Sequence, residues 1–147
     1  MKIWIRNLQK RILFDSRKLR RAAKAVLNEL GSPESELSVS LVEDEHIQEL
    51  NRRYLGRDKP TNVLAFAMRE GEFPSLHPQI LGDVVVSVDT AQRQSNRFGI
   101  RDHEMVLLLM IHGILHLVGY EHEGKAKGAS EMARKQKELF QKIAPLI

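Results

Sequence analysis

The sequence predicts an α+β fold, with a four-stranded mixed sheet and about five helices packed around a central, buried, histidine-bearing helix. The chain has 147 residues, a length that suits one domain with one hydrophobic core. Strand-like segments dominate the first part of the chain and helical patterns the last part, which is typical of an α+β fold. No internal repeat divides the sequence, so we predict a single domain over residues 1–147.

Four segments show the alternation of apolar and polar residues that is typical of β-strands. In the second of them Leu37, Val39 and Leu41 alternate with serines, and in the fourth valines recur at every second position. Two prolines and a glycine within residues 71–78 predict a long loop before the fourth strand. The predicted strands are residues 2–6, 37–41, 62–68 and 82–88.

Five segments are predicted as helices, and apolar residues recur at helical spacing in all but the third, residues 90–98, whose pattern is weak. The first is followed by Gly31, a residue that commonly ends a helix in a left-handed conformation. In the second, Ile47, Leu50 and Tyr54 are predicted to face the core. Asp102 is predicted to cap the fourth helix, whose apolar residues cover most of its circumference and therefore indicate burial. The predicted helices are residues 16–30, 45–54, 90–98, 102–118 and 130–143.

The composition restricts the chemistry and the location of the protein. There is no cysteine, so a metal site would need histidine, aspartate or glutamate ligands. The longest apolar run, residues 105–111, is far shorter than the ~20 residues of a membrane helix. The N-terminal residues are too charged for a signal peptide, so we expect a cytoplasmic protein without a membrane partner. The net charge of +4 favours a polyanionic partner without identifying one.

Three histidines at the end of the fourth predicted helix have the spacing of a metal site. His112 and His116 are four residues apart, so a helix places them on one face with Cβ atoms about 5–6 Å apart. His122 follows Gly119, where a left-handed residue would reverse the chain and return the third ring toward the first two. We predict one divalent ion on these three histidines, with an open coordination position. Zn²⁺ is the expected ion, and Ni²⁺ or another divalent ion is the alternative.

The spacing matches the extended zincin pattern H-E-x-x-H-x-x-G-x-x-H except at its general base. Gly113 occupies the position of the glutamate that activates water in those peptidases. A peptidase of that class would lack its base. The pattern therefore disfavours the ordinary peptidase mechanism and leaves other hydrolytic reactions open.

The same histidine run, HGILHLVGYEH at residues 112–122, resembles the H-G-x-L-H-L-x-G-Y-D-H signature of the YbeY family. Residues 58–66, DKPTNVLAF, resemble the family segment D-x-P-T-[DN]-V-L-S-F-P, and residues 81–87, LGDVVVS, resemble L-G-D-I-x-I-S. Ala65 and Ala67 stand where the family usually has serine and proline. With matching length and element order, the resemblance covers nearly the whole chain.

The resemblance implies a bacterial metal-dependent endoribonuclease that acts on single-stranded RNA. Its implied roles are ribosomal RNA processing, including maturation of the 3′ end of 16S rRNA, ribosome biogenesis and ribosome quality control. The implied partners are single-stranded rRNA and the ribosome or its small subunit, and no DNA is expected. This chemistry suits the histidine site, because a metal on neutral imidazoles can stabilise the charge that develops on phosphate oxygens.

Two catalytic candidates follow from positions where this chain departs from the family. Leu55 stands where the family commonly has an arginine that is thought to assist catalysis, and Arg53 and Arg57 flank it. We expect Arg57, in preference to Arg53, to clamp a phosphate. Glu121 replaces the usual aspartate and keeps the carboxylate, which makes it a candidate for proton transfer or for support of an imidazole.

Two other functions stay open from the sequence. One is a metal-dependent hydrolase of a different substrate, such as a peptide or an amide. The other is a non-catalytic ribosome-assembly factor, in which the metal only fixes the C-terminal loop to the helix.

Overall fold

A computed structural model describes residues 2–68, 80–120 and 126–147, without the side chains of residues 126 and 127. Within these ranges the chain forms an α+β fold with five helices and a four-stranded sheet, as predicted. The predicted loop at residues 71–78 lies outside the described residues. The strands are β1 Lys2–Asn7, β2 Glu36–Val42, β3 Val63–Ala67 and β4 Ile80–Ser87. The helices are α1 Ser16–Glu29, α2 Asp44–Leu55, α3 Val88–Phe98, α4 Asp102–Leu117 and α5 Ala126–Ile143, followed by a 3₁₀ turn Ala144–Leu146.

The sheet has the strand order β1-β2-β4-β3. β1 is parallel to β2 and β2 to β4, whereas β3 is antiparallel to β4, so the sheet is mixed. β4 is buried on both faces, because Val84 and Val86 contact the main core while Val85 contacts a smaller cluster under α2. β3 lies at one edge of the sheet, and its outer side borders the cleft described below.

The helix α4 packs against β3, β4 and three other helices, α1, α3 and α5. Ten of its residues are buried, which agrees with a sequence that is apolar around most of the helix. Burial of a leucine, isoleucine or methionine side chain contributes about 1.5–3 kcal/mol, so α4 is a major source of core stability. No helix in the described ranges is both long enough and apolar enough to cross a membrane.

A polar cluster joins the start of α2 to the junction of β4 and α3. The Asp44 carboxylate accepts hydrogen bonds from the Ser87 and Thr90 hydroxyls, both at 2.7 Å, and from Arg93 Nη2 at 2.8 Å. Desolvation by burial opposes ionisation of Asp44, but these hydrogen bonds outweigh it and hold the pKa below its ordinary value of 3.8. The backbone N–H of Asp44 also donates to Asp89 at 2.8 Å. The cluster thus joins the start of α2 to the first turns of α3.

Two predictions about single residues are wrong. Tyr54 does not face the core: it is 59% exposed, and its ring packs edge-on against Phe66 with centroids 5.4 Å apart. Asp102 is not the cap of α4 but its first helical residue, and Arg101 is the N-cap. The Asp102 carboxylate instead accepts a hydrogen bond from Ser95 Oγ at 2.6 Å, which joins α3 to α4.

Two helices begin earlier than predicted. β4 ends at Ser87, whose hydroxyl accepts a hydrogen bond from the Thr90 backbone N–H at 3.3 Å and so caps α3. Val88 therefore belongs to α3 and not to the strand. α5 begins at Ala126, four residues before the predicted start at residue 130. The predicted apolar residues Met132, Leu139 and Ile143 of α5 are buried, and in both α3 and α5 the error is confined to the first turn.

Candidate active site

Two imidazoles face each other on the last turns of α4. The four-residue spacing places His112 and His116 on one face, with ring centroids 4.8 Å apart. Their Nε2 atoms are separated by 3.2 Å. Two nitrogen ligands bound at about 2.0–2.1 Å to one tetrahedral ion lie about 3.3 Å from each other. In donor type and in spacing, the pair fits two of the ligands of one divalent ion.

The orientation of His112 is set by a residue of α5. Gln136 Oε1 lies 2.7 Å from His112 Nδ1, so the amide oxygen can accept a hydrogen bond from Nδ1–H. A neutral imidazole carries only one N–H, and this bond therefore leaves the lone pair on Nε2, the atom that faces His116. The sequence reasoning missed Gln136. A signal was available, because Gln136 lies four residues after Met132 and three before Leu139, on the apolar stripe of its helix.

The helix α4 ends at Leu117, and a left-handed Gly119 follows its C-cap Val118, as predicted. Gly119 has φ 103°, its backbone N–H donates to the His116 carbonyl at 3.0 Å, and the Tyr120 N–H donates to the Leu115 carbonyl at 2.9 Å. This pair of bonds is a Schellman motif, which satisfies carbonyls at the helix end and turns the chain off the axis. Glu121 and His122 lie outside the described residues. Within the described ranges no cluster of three metal-binding side chains is present.

Gly113 packs directly against Val84 of β4 and Val63 of β3. A Cβ atom at Gly113 would lie 2.6 Å from Val84 Cγ1 and 3.3 Å from Val63 Cγ2. The first distance is an overlap, so any side chain at this position would force either Val84 or the helix to shift. The general-base glutamate of the zincin pattern therefore does not fit here. Packing explains this departure from the peptidase motif.

A cleft of about 470 Å³ opens beside the two imidazoles. α4 contributes His112, Gly113 and His116, and β3 contributes its edge. The segment that connects α2 to β3 supplies two cations, Arg57 and Lys59. The other lining residues are Asn51, Leu55, Thr61, Asn62, Val63, Leu64, Ala65, Ala67 and Leu117. Two cations that line the same cleft as the paired imidazoles suit an anionic ligand such as a phosphodiester.

The structure distinguishes the two predicted arginines. Arg57 is exposed and lines the cleft together with Leu55, the residue at the position of the family arginine. Arg53 is absent from the lining and forms an ion pair with Glu49, with Arg53 Nη2 3.8 Å from Glu49 Oε1. Lys59, which the sequence reasoning did not select, lines the cleft beside Arg57.

The cationic segment is held in shape by Asn51 of α2. Asn51 is only 2% exposed, and its side-chain amide donates to the Lys59 carbonyl at 2.9 Å. Its backbone carbonyl accepts from the Arg57 N–H at 3.3 Å. One buried asparagine therefore fixes the main chain at both cationic residues.

The remaining histidines do not join the site within the described residues. His46 is exposed, lies on α2 and faces a different hollow, on the sheet face opposite α4. His103 is partly exposed near the start of α4 and lines a shallow pocket with residues of the segment before α1. His77 lies outside the described ranges.

Comparison with known proteins gives one consistent family. A family model described as Endoribonuclease YbeY matches residues 4–144. The Endoribonuclease YbeY of Geobacter sulfurreducens is 47% identical over 142 residues, covering 95% of this chain and 94% of that protein. The Endoribonuclease YbeY of Syntrophus aciditrophicus is 46% identical over 141 residues, covering 95% and 88%. The solution structure of TM1509 from Thermotoga maritima is similar, with a TM-score of 0.66 and 28% identity over 96% of this chain and 88% of that one.

Proposed function

The chain belongs to the Endoribonuclease YbeY family, and from this premise we propose that it is a metal-dependent endoribonuclease that cleaves single-stranded ribosomal RNA in the cytoplasm. Its roles are processing of rRNA, including the 3′ end of 16S rRNA, ribosome biogenesis and ribosome quality control. Its partners are rRNA and the ribosome or its small subunit. The observation that carries the metal dependence is the 3.2 Å separation of the Nε2 atoms of His112 and His116.

His112, His116 and His122 hold one ion per chain, Zn²⁺ in the first instance, with Ni²⁺ or another divalent ion as the alternative. Nitrogen ligands from neutral imidazoles leave the full charge on the ion. When bound, the ion supplies positive charge for the phosphate oxygens of the transition state and orients a water molecule.

Arg57 and Lys59 bind the phosphates of the RNA strand on the opposite wall of the cleft. The planar guanidinium of Arg57 can form two parallel hydrogen bonds to one phosphate, so Arg57 substitutes for the arginine that Leu55 replaces. Lys59 adds a second positive charge, and Asn51 keeps both residues at the cleft by its bonds to their main chain. Glu121 transfers a proton or supports an imidazole.

The size of the cleft favours an unpaired strand. Its volume of about 470 Å³ is that of a small-ligand site, so it accommodates a nucleotide-sized part of the substrate. Bases of a single strand can be splayed into such a site, whereas bases in a duplex are stacked and paired and must first be extruded.

The alternative of a zincin-like peptidase is disfavoured by packing at one residue. Such a peptidase needs a glutamate at the position of Gly113, where even a Cβ atom would overlap Val84. Two cations on the cleft wall also favour a phosphodiester substrate over a neutral peptide.

The test combines metal analysis with RNA cleavage. Purified wild-type protein should contain about one divalent ion per chain and cut an unstructured RNA, and a chelator should stop the cleavage until Zn²⁺ is restored. His116→Ala should lose both the ion and the cleavage. The matched control is His46→Ala, which removes an exposed histidine outside the cleft and should change neither.

Two outcomes would contradict the proposal. RNA cleavage that persists in His116→Ala would show that the activity does not come from this site. A wild-type protein that binds the ion and the ribosome but does not cut RNA would support the non-catalytic assembly factor instead.

A further inference from the structure

We propose that Gln136 is a positioning residue for the metal site, because its amide oxygen fixes the tautomer and the ring orientation of His112. The inference rests on the proposed metal-dependent function. Gln136 does not touch the substrate in this proposal and acts only through the imidazole.

The position of Gln136 is determined by the packing of α5. Met132 and Leu139, one turn before and nearly one turn after it, are each only 1% exposed, so they anchor this stretch of the helix in the core. Gln136 lies on the same stripe and is half-buried. A polar amide in such a stripe costs free energy unless it forms a hydrogen bond. The bond of 2.7 Å to His112 Nδ1 satisfies the amide oxygen.

The hydrogen bond selects one of the two neutral forms of His112. An amide oxygen is only an acceptor, so it requires the proton on Nδ1 and leaves Nε2 with its lone pair. Only an unprotonated nitrogen can bind a metal ion, and Nε2 is the atom 3.2 Å from His116 Nε2. Without the acceptor either nitrogen can carry the proton, and the form with the proton on Nε2 has to rearrange before it binds the ion.

Glutamine differs from the carboxylate that often occupies this role in metal sites. Its amide orients the ring without adding a negative charge. The contact of Gln136 with His112 therefore does not offset the positive charge of a bound ion. A glutamate at position 136 keeps the acceptor and adds a charge. We therefore expect Gln136→Glu to bind Zn²⁺ at least as tightly as the wild type.

The experiment uses the full chain and three variants. Gln136→Met keeps the length of the side chain and removes the acceptor, and Gln136→Glu restores an acceptor. Gln141→Met is the matched control, since Gln141 is an exposed glutamine on the same helix and does not line the cleft. Histidine ¹⁵N NMR of the metal-free proteins reports the tautomer of His112. Competition with a chelating dye measures the affinity for Zn²⁺ alone, and thermal unfolding checks that each variant is folded.

We expect the Nδ1–H tautomer in the wild type, in Gln136→Glu and in Gln141→Met. In Gln136→Met we expect a mixture of tautomers and about 10- to 100-fold weaker Zn²⁺ binding. A folded Gln136→Met variant that keeps either the wild-type tautomer or the wild-type affinity would overturn the proposal. A wild-type His112 with its proton on Nε2 would do the same.

The experiment distinguishes a wrong positioning role for Gln136 from a wrong metal-dependent function. If the wild type binds no Zn²⁺ while Gln136→Met alone loses the Nδ1–H tautomer, the metal function is wrong and the positioning contact stands. If the wild type binds Zn²⁺ and Gln136→Met binds it equally tightly, the positioning role alone is wrong.

Discussion

The Asp44 carboxylate and the His112–His116 pair are two half-buried polar groups, and they differ in how their hydrogen bonds are completed. Asp44 accepts bonds from Ser87, Thr90 and Arg93, so donors of the protein itself surround the carboxylate. In the imidazole pair, by contrast, two ring nitrogens of the same kind face each other, with the Nε2 atoms of His112 and His116 3.2 Å apart.

The difference separates a structural cluster from a binding site. A carboxylate supplied with hydroxyl and guanidinium donors needs nothing further, and its main effect is on folding. Two nitrogen atoms held at the distance that a shared metal ion requires support the proposed metal site. Substitutions in the two clusters should therefore affect different properties of the protein.

The largest effect is expected from the imidazole pair. His116→Ala should reduce RNA cleavage by about a thousandfold or more, because a metal ion contributes several kcal/mol to stabilising a transition state. Its free energy of unfolding, measured in urea without metal, should change by less than about 1 kcal/mol. If cleavage falls only in proportion to the amount of folded protein, His116 has a structural role like that of Asp44, and the two clusters do not differ in function.

Asp44→Ala should show the opposite behaviour. It leaves two hydroxyls and a guanidinium without their acceptor, and we expect a loss of about 2–4 kcal/mol in the free energy of unfolding. Cleavage per folded molecule at low temperature should stay close to that of the wild type. Urea denaturation and RNA cleavage on the same preparation test both statements, and a large loss of specific activity would place Asp44 in the active site.

The pH dependence provides a sharper test of the same cluster. The pKa of Asp44 is below its ordinary value of 3.8 in the folded protein, so its ionised form favours folding. That contribution is present above pH 3.8 and is lost as the pH falls through the lowered folded pKa. The difference in unfolding free energy between wild type and Asp44→Asn should therefore be constant near neutral pH and shrink below about pH 4. A difference that grows on acidification would refute this assignment.

A smaller loss of stability is expected at the contact between α4 and β4. Gly113→Ala places a Cβ atom 2.6 Å from Val84 Cγ1, and overpacking of this kind costs about 1–3 kcal/mol. In the double variant with Val84→Ala, the combined loss should be less than the sum of the two single losses. Simple additivity in urea denaturation would show that Gly113 and Val84 do not limit the approach of the helix.

The smallest effect is expected on the cationic wall. Arg57→Ala should raise KM for RNA about tenfold, as expected for the loss of one charged hydrogen-bonding group. Arg53→Ala is the matched control, because Arg53 does not line the cleft, and its KM should be unchanged. Equal effects of the two substitutions would mean that general surface charge, and not the cleft, binds the strand.

Features that depend on neighbouring residues were predictable from the sequence. Gly31 and Gly119 end their helices with φ values of 72° and 103°, and a left-handed glycine was expected at both positions. The spacing of His112 and His116 predicted one shared helix face, which the structure shows. The predicted role of His122 stays a prediction, since that residue lies outside the described ranges.

Features that depend on contacts between different elements were not predictable in the same way. Aspartate is a residue type that commonly caps helices, but the carboxylate of Asp102 accepts a hydrogen bond from Ser95 of the preceding helix instead. Tyr54 follows the helical period of α2, but it stays exposed and its ring packs only edge-on against Phe66 of β3. The Lys59 carbonyl and Asn51 are brought together by the turn after α2.

By itself the sequence determined the fold class, the C-terminal ends of the helices to within one residue, and the spacing of His112 and His116. Helix ends and spacing depend on residues within a few positions of one another, and the fold class depends on the order of the elements that such patterns predict. Only the tertiary structure decided that Gln136 orients His112, that Gly113 excludes a glutamate, and that Arg57 rather than Arg53 lines the cleft. These facts depend on distances between elements far apart in the chain, which periodicity does not encode.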